Sequence, residues 1–499
     1  MAQRFGQYGR FRGLEAVPAL IVWSTLILTV LAAFFAPTVA IVFIIIFDLY
    51  WMLRVFYFVI HVLAAYREYR KSIATDWYSE LQKIPNWERL YHVVMLPTYK
   101  EPLAIIEESI NALLRGPYRA DRLIVVLGGE ERDQENFNRY ADALRRLYAD
   151  KFAGFITTVH PANQPGEIPG KGSNMRHMAF ALKAFIDERQ LPYDDIIVSA
   201  FDIDTVAHPQ YFARLAHLYL TVPNPTRSSY QPVTVFSNNI WSATAPVRIA
   251  AFGTTFWLLS ELVRPERMWT FSSHSMPWRM LVDVGFWEPD LVSEDSRIFM
   301  QGFLHYDGDY RVTPIFLPVS LDAVAGGGYA ESLVALYKQQ RRWAWGVEHF
   351  PYMVTEFRKH PKLSRMKKIT YLFNHLEGMY TWAAAPLIIF MLGYLPFATV
   401  GDTQSALVVN SPYTLEIMMR MATFGVFVTG ALSLFLLPPR PQTAGRWTWL
   451  VMILQWVLSP VTFILFGSIP ALDAQTRFML GKYLGFNVTK KHVSSRTQA

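Results

Sequence analysis

From Val17 to Ala36 the chain runs for twenty residues without a charge. At about 1.5 Å per residue, such a helix spans about 30 Å, the thickness of a bilayer's hydrocarbon core. The run is long for a cleaved signal sequence, and a second apolar run follows at once from Thr38 to about Leu63. Pro37 between them predicts a tight helical hairpin. The second run contains Asp48, Arg54 and His61. Arg54 is long enough to snorkel. Asp48 either faces protein or a polar path, or marks a ragged span. Apolar character returns late in the chain. Gly378–Pro396 and Trp447–Pro470 carry no charge, and Tyr413–Leu437 carries Glu416 and Arg420 near its start. Membrane segments therefore bracket a more polar centre.

Composition agrees. Charged residues make up 17% of the 499 residues, against about 25% in soluble domains. Fifteen Trp and 25 Tyr suit a protein that meets a membrane interface. Cys is absent, which excludes a disulfide scaffold, Cys-ligated zinc or iron–sulfur, and a Cys nucleophile. The net charge of +7 reads as the basic cytoplasmic rim of a membrane protein, with no nucleic-acid partner. Arg4, Arg10, Arg12, Arg440 and Arg446 mark cytoplasmic segments, whereas 399–412 has no Lys or Arg. The N-terminus, the centre and the 438–446 loop then face the cytoplasm, in the cell (inner or plasma) membrane. The tail, with Arg477, Lys482, Lys490 and Lys491, is open. It lies outside if Trp447–Pro470 crosses, and inside if that segment dips in or follows the interface with a break at Pro460.

The centre changes character. Strand-like runs at Tyr91–Leu96, Leu123–Leu127, Phe155–Val159 and Ile196–Phe201 alternate with helical patterns such as Leu103–Leu114. That order predicts a mostly parallel α/β sheet, whose ligands sit at the carboxyl ends of the strands. The expected division is a membrane hairpin over 1–66, the α/β domain over 67–350, and interface helices, membrane helices and tail over 351–499.

The chemistry-bearing residues follow those strand ends. The first strand runs into Pro97-Thr98-Tyr99-Lys100-Glu101, and the run at 196–201 into Asp202-Ile203-Asp204. Later come Ser293-Glu294-Asp295 and Gln339-Gln340-Arg341-Arg342-Trp343. Two Asp two residues apart at a strand end project to one side and can share a hard divalent cation, Mg²⁺ or Mn²⁺, with a diphosphate. Asp307-Gly308-Asp309 has the same spacing but reads as a turn. Glu294 and Asp295 also suit the first turn of a helix. Tyr337–Trp345 also reads as an amphipathic helix at the membrane surface. Gly166–Ser173 mimics a phosphate-binding P-loop, but its glycine spacing is too short and Gly follows Lys171, so an ATPase reading fails.

In order and context, these motifs resemble the family 2 membrane glycosyltransferases, the cellulose, chitin and hyaluronan synthases. The resemblance covers roughly residues 90–345 and the membrane segments around them. It implies a GT-A-like, Rossmann-like domain inserted between N- and C-terminal transmembrane helices. It implies an inverting, metal-dependent transferase taking sugar from a nucleotide sugar, a UDP-sugar such as UDP-glucose, to a growing β-linked polysaccharide that it exports. By the same resemblance Asp295 is the general base beside Glu294, and Gln339, Arg342 and Trp343 close over diphosphate and acceptor. Thr98, Tyr99, Glu101, Glu130, Lys171 and Asp202 meet the nucleotide sugar, and Asp204 and Asp202 hold the metal. Phe271, Ser273 and His274 line the acceptor path. Phe486, Val488, Thr489 and Lys491 match a gating loop. Ser293 replaces the family's usual Thr. Where cellulose synthases read uracil with Asp-Asp-Gly, this chain has Gly128-Gly129-Glu130-Glu131-Arg132-Asp133, so Glu130 or Asp133 supplies the carboxylate. A non-processive transferase acting on a membrane lipid fits the same Gln-x-x-Arg-Trp motif. A transporter or receptor without catalysis does not fit so complete a set of acidic and basic motif residues.

Overall fold

The computed structural model describes residues 11–401, 405–442, 444–445 and 447–485. It opens with two apolar helices, Arg12–Phe35 and Pro37–Ala74. The break falls at Ala36, and Pro37 takes the first helical position, where its lack of an N–H costs nothing. The hairpin expected from Pro37 is thus present. The second helix, at 38 residues, is about 57 Å long, nearly twice a bilayer core. Its last turns leave the apolar region and join the domain core. Val62, Ala65 and Tyr69 pack in one cluster with Val93, Met95 and Val198.

The central domain is built on an eight-stranded sheet in the order β3-β2-β1-β4-β7-β6-β8-β5. The strands are β1 Tyr91–Pro97, β2 Leu123–Glu130, β3 Gly154–His160, β4 Ile196–Ala200, β5 Val206–Ala207, β6 Ser228–Val235, β7 His274–Pro277 and β8 Arg311–Ser320. β3, β2, β1 and β4 run parallel, as do β6 and β8. β7 lies antiparallel between β4 and β6, and β5 antiparallel on β8. β2 and β4 are buried along their whole length, as expected where helices cover both faces. One face packs on Leu103–Leu114, Gln134–Tyr148 and Tyr211–Thr221. The other packs on Lys171–Glu188, Glu294–His305 and Ala245–Leu262. The sequence pattern gave no warning of the last helix, because Arg248, Gly253, Thr254 and Thr255 interrupt its apolar stripe. It packs against the second apolar helix.

After the domain, Arg365–Phe390 and Leu392–Thr399 form a pair bent by 45°, followed by Ala406–Phe435 and the helical stretch Thr448–Met479. Among the described residues four helices are long and apolar enough to cross a bilayer: Arg12–Phe35, Pro37–Ala74, Ala406–Phe435 and Thr448–Met479. The bent pair makes a possible fifth. Thr448–Met479 departs from an α-helix twice, as a 3-10 turn at 455–458 just before Pro460 and as a π-helical turn at 464–468. It also touches the α/β domain from end to end. Trp449 packs edge-on against Trp241 at 5.4 Å, Gln455 accepts from Arg248 at 2.6 Å, and Asp473 pairs with Arg341 at 2.9 Å. At its far end Arg12 donates to the carbonyls of Phe478 at 3.0 Å and Met479 at 2.5 Å.

Candidate active site

Three parallel strands deliver their carboxyl ends to one place. Beyond β1, Glu101 folds back: its Oε2 accepts from Thr98 Oγ1 at 2.8 Å and from the Tyr99 N–H at 2.5 Å. The Thr98 N–H donates to Gly128 O at 2.7 Å, which ties this loop to β2. Lys100 sits at φ +66°, and its N–H donates to Asp133 at 3.0 Å. The half-buried Tyr99 ring lies beneath the guanidinium of Arg132, 4.5 Å from the ring centre. Of the two candidate carboxylates, Glu130 is buried and occupied. Arg132 holds it at 2.9 Å, and His160 Nδ1 stands 3.8 Å away. His160 in turn bonds Glu167 at 2.8 Å. Burial works against its charged form, but Glu130 and Glu167 outweigh burial and raise its pKa. Asp133, facing the Lys100 loop, is the more open of the two.

The centre of the site is an ammonium between two carboxylates. Lys171 begins the eighteen-residue helix Lys171–Glu188. Its Nζ lies 2.7 Å from Asp202 and 2.9 and 3.0 Å from the two oxygens of Asp295. Lys171 is nearly buried, whereas Asp202 is 32% and Asp295 21% exposed, so the cluster opens on its acidic side. Burial alone would lower the lysine pKa. Asp202 and Asp295 overcome that and hold it above the ordinary value. The Ser272 hydroxyl bonds Asp202.

Asp204 behaves differently from Asp202. It has no exposed surface, and its Oδ2 accepts the Asp322 N–H at 2.9 Å. Strand spacing placed both Asp on one side, but β4 ends at Ala200 and residues 202–205 form a turn closed by Thr205 N–H to Asp202 O at 2.9 Å. Strand alternation therefore stops two residues short of the motif.

Glu294 and Asp295 lie in the first turn of Glu294–His305, where the helix dipole favours acidic groups. They join the cluster and begin a helix at once, so the two sequence readings of this motif are compatible. Gly172 lets the two helix N-termini approach; a Cβ there would stand 3.2 Å from Glu294 Cβ. Glu294 is 3% exposed, and its Oε2 has no hydrogen-bond partner among the described residues. Burial, and next the charge of Asp295, push its pKa up to about 8.

Two more segments close the site. Gln339, Arg342 and Trp343 are half-buried on Tyr329–Ala344, a helix that packs against the Thr448–Met479 stretch. Arg342 acts on Glu294 by its charge, and the Trp343 ring packs against Phe236 at 5.9 Å. Arg341 and Tyr337, by contrast, point to Asp473, at 2.9 and 3.1 Å. Phe271 donates its N–H to Gln231 at 2.8 Å, and its ring packs on Trp257. Ser273, at φ +62°, is buried against Thr205 Oγ1 at 2.9 Å. His274 Nδ1 lies 2.8 Å from Phe271 O, which makes Nδ1 the donor. Burial lowers its pKa to about 4, so the ring is neutral and Nε2 is a bare acceptor without a partner among the described residues. Phe486, Val488, Thr489 and Lys491 lie outside the described residues.

Sequence reasoning missed three groups. Ser272 bonds Asp202, Thr270 Oγ1 donates to Asp295 O at 2.6 Å, and Glu348 accepts from both the N–H (3.1 Å) and the hydroxyl of Ser293. Ser272 lies between Phe271 and Ser273, both named from the sequence. Thr270 borders Phe271, and Glu348 belongs to no motif.

A model of the family described as "Glycosyl transferase family group 2" matches residues 197–472, more than half of the chain. No curated protein matches the sequence. Among solved structures, the mannosyltransferase PcManGT from Pyrobaculum calidifontis, in complex with GDP-Man and Mn²⁺, is similar at 16% identity with a TM-score of 0.41, covering 76% of this chain and 99% of its own. TarS 1–349 from S. aureus is similar at 13% identity with a TM-score of 0.34, covering 67% of this chain and 90% of its own.

Proposed function

The chain belongs to glycosyl transferase family group 2, and we propose that it is a membrane-bound synthase of the cellulose, chitin and hyaluronan type. It moves sugar from a nucleotide sugar, a UDP-sugar in the first instance, onto a growing β-linked polysaccharide with inversion. The observation that carries this reading is Lys171 between Asp202 and Asp295, at the meeting of two helix N-termini and the parallel strand ends.

Each group has a task. Lys171 and the two N-termini receive the donor diphosphate. Asp202 and Asp204 would hold Mg²⁺ or Mn²⁺, hard cations that an all-oxygen donor set suits. Among the described residues no group of three His, Cys, Asp or Glu is placed to hold a metal ion, so the protein would supply only part of what such a cation needs. When bound, the cation neutralises charge on the departing diphosphate. Asp295 accepts the proton of the acceptor hydroxyl as that oxygen bonds to the anomeric carbon and the sugar–diphosphate bond breaks. Glu294, protonated near neutral pH, keeps a second negative charge away from that base. Arg342 offers forked donors to phosphate, and Trp343 with Phe236 offers a flat apolar wall to a sugar ring.

The helices supply the membrane arrangement. Arg12–Phe35, Pro37–Ala74, the bent pair at 365–399 and Ala406–Phe435 make four crossings. Thr399 Oγ1 bonds Ala33 O, which joins the far ends of the first and third. Thr448–Met479 then follows the domain side without crossing, which keeps the N-terminus, the catalytic domain and the tail in the cytoplasm. The anchoring of both its ends on Trp241, Arg341 and Arg12 supports this.

One observation favours a lipid acceptor as the second reading: Phe236, the neighbour of Trp343, also lines an apolar cleft. Membranes holding the protein, labelled nucleotide sugars and Mn²⁺ or Mg²⁺ separate the two, with Asp295→Asn as the blank. Label in a high-mass glycan that a specific glycanase digests supports the synthase. Label confined to the organic phase makes the protein a glycolipid transferase.

A further inference from the structure

Ala406–Phe435 has the lowest mean hydropathy of the four helices long enough to cross a bilayer, and an ion pair is one reason. Arg420 donates to Glu416, one turn earlier, at 2.5 Å. The two side chains are 77% and 53% exposed. The helix packs against Pro37–Ala74. Gly425 lets the two approach closely, because a Cβ there would stand 2.4 Å from Val55 Cγ1. Ser411, Leu415, Gly425 and Leu432 are buried and fall on one side. At 3.6 residues per turn, Glu416 and Arg420 lie about 160° round the helix from that side. The charges therefore point away from the rest of the chain.

Under the four crossings proposed above, this helix runs parallel to Pro37–Ala74, and Gly425 sets their register at Val55. Val55 lies about 27 Å along its helix from Pro37 at the outer face. Glu416 is then about 14 Å from that face and Arg420 about 20 Å, in a core about 30 Å thick. Arg420 is long enough to snorkel; Glu416, shorter and near the middle, reaches neither face. A charge at that depth is costly against lipid and belongs against protein. Val409, Tyr413, Thr423 and Phe427 are exposed on the same face. With Glu416 and Arg420 they repeat in alternating steps of four and three residues, the spacing of a seam between two helices. Lipid suits the apolar members of that seam but not the charged pair.

We propose that this face docks on the same face of a second copy of the chain, in a dimer about a two-fold axis along the membrane normal. Such an axis keeps every residue at its own height. Arg420 then lies one turn from the partner's Glu416, the same offset at which it meets its own Glu416. The two ion pairs close into a network of four charges. A partner carrying one sign would satisfy one member of the pair and repel the other, whereas a second copy brings both signs at matching heights. The dimer rests on the membrane arrangement proposed above and is independent of sugar transfer.

The test uses the full chain, which has no Cys of its own, reconstituted sparsely in phosphatidylcholine vesicles. Phe427→Cys should form disulfide-linked dimers when oxidised with copper phenanthroline. Leu415→Cys, on the side packed against Pro37–Ala74, should not. Adding Arg420→Glu to Phe427→Cys brings four like charges together and should lower the dimer yield about tenfold. Adding Glu416→Arg as well swaps the pair and should restore the yield. No dimer from Phe427→Cys, equal yields from the two Cys positions, or a yield unmoved by Arg420→Glu overturns the proposal. A loss that the swap does not restore overturns it too. If the Arg420→Glu chain does not insert, the two Cys positions decide alone. Extraction of the unmodified chain by alkaline carbonate overturns the membrane reading and the proposal with it. A chain that resists extraction and stays monomeric overturns the proposal alone. Sugar transfer is not read at any step.

Discussion

Glu348 is 4% exposed and lies just after the Gln-x-x-R-W helix, yet it holds the start of the helix that carries Asp295. Replacing it by Ala leaves two part-buried donors, the Ser293 N–H and hydroxyl, without this acceptor. Each such loss costs about 1–3 kcal/mol at full burial, so for the part-buried Ser293 Glu348→Ala should lower stability by about 2 kcal/mol or somewhat more, the low end of that range for two groups. The released helix start shifts the base, and a displacement of about 1 Å can cost about a hundredfold in rate. The expected outcome is a fall of that order in kcat, with donor KM nearly unchanged, measured as initial transfer rates in reconstituted vesicles beside a melting curve. Glu348→Gln keeps an acceptor oxygen and should recover most of the rate. Ser293→Ala, which loses the hydroxyl but keeps the N–H, should fall between. If Glu348→Ala melts lower but turns over like the wild type, the link from Glu348 to the base is refuted. If Gln recovers nothing, the effect belongs to the charge and the hydrogen-bond account fails.

Asp295→Asn should abolish transfer while nucleotide binding, followed by calorimetry, stays near wild type; normal turnover would remove Asp295 from the base role. Asp202→Asn should lose the increment that Mn²⁺ adds to donor binding. Asp204→Asn should in addition lose about 1–2 kcal/mol of stability, because Asp322 N–H exchanges a charged acceptor for a neutral one. Identical binding with and without Mn²⁺ in every form would dismiss the metal. Glu294 has its folded pKa raised from 4.5 to about 8, so the stability it contributes is full below pH 4.5 and is lost as pH rises through 8. Melting temperatures taken from pH 5 to 9 should therefore slope downward in the wild type and less so in Glu294→Gln; parallel slopes would contradict this. In this Cys-free chain, Ala444→Cys should react with an impermeant maleimide only after permeabilisation, and labelling of intact cells would overturn the proposed sidedness.

Much of the scaffold was legible in the sequence because it rests on periodicity. β1, β2, β3 and β4 fall where short apolar runs lie between turn signals, and Leu103–Leu114 has the predicted bounds. Asp202, Lys171 and Asp295 are brought together across 124 residues, and their shared place at strand and helix ends was the readable part. The unequal burial of Asp202 and Asp204 was not, because it depends on where β4 stops and the turn at Thr205 begins rather than on residue spacing. Glu348 was missed for a related reason: its role comes from what it folds against, Ser293, 55 residues away in sequence. The helix Ala245–Leu262 escaped because small and charged residues blunt its apolar stripe.

The 38-residue second helix is a single rod shared by two media. Its first turns are long and apolar enough to lie in a bilayer, and Val62, Ala65 and Tyr69 belong to the domain's own core. A cut at residue 66 would therefore take two of those core side chains away with the membrane part. The rod also makes the bilayer a mechanical input. A thicker or thinner membrane changes the tilt of a span by hydrophobic mismatch. Because this rod has no joint before Thr75, a tilt imposed by lipid under the proposed membrane arrangement would be passed on to the sheet beneath Asp202, and lipid chain length would act on the domain's posture.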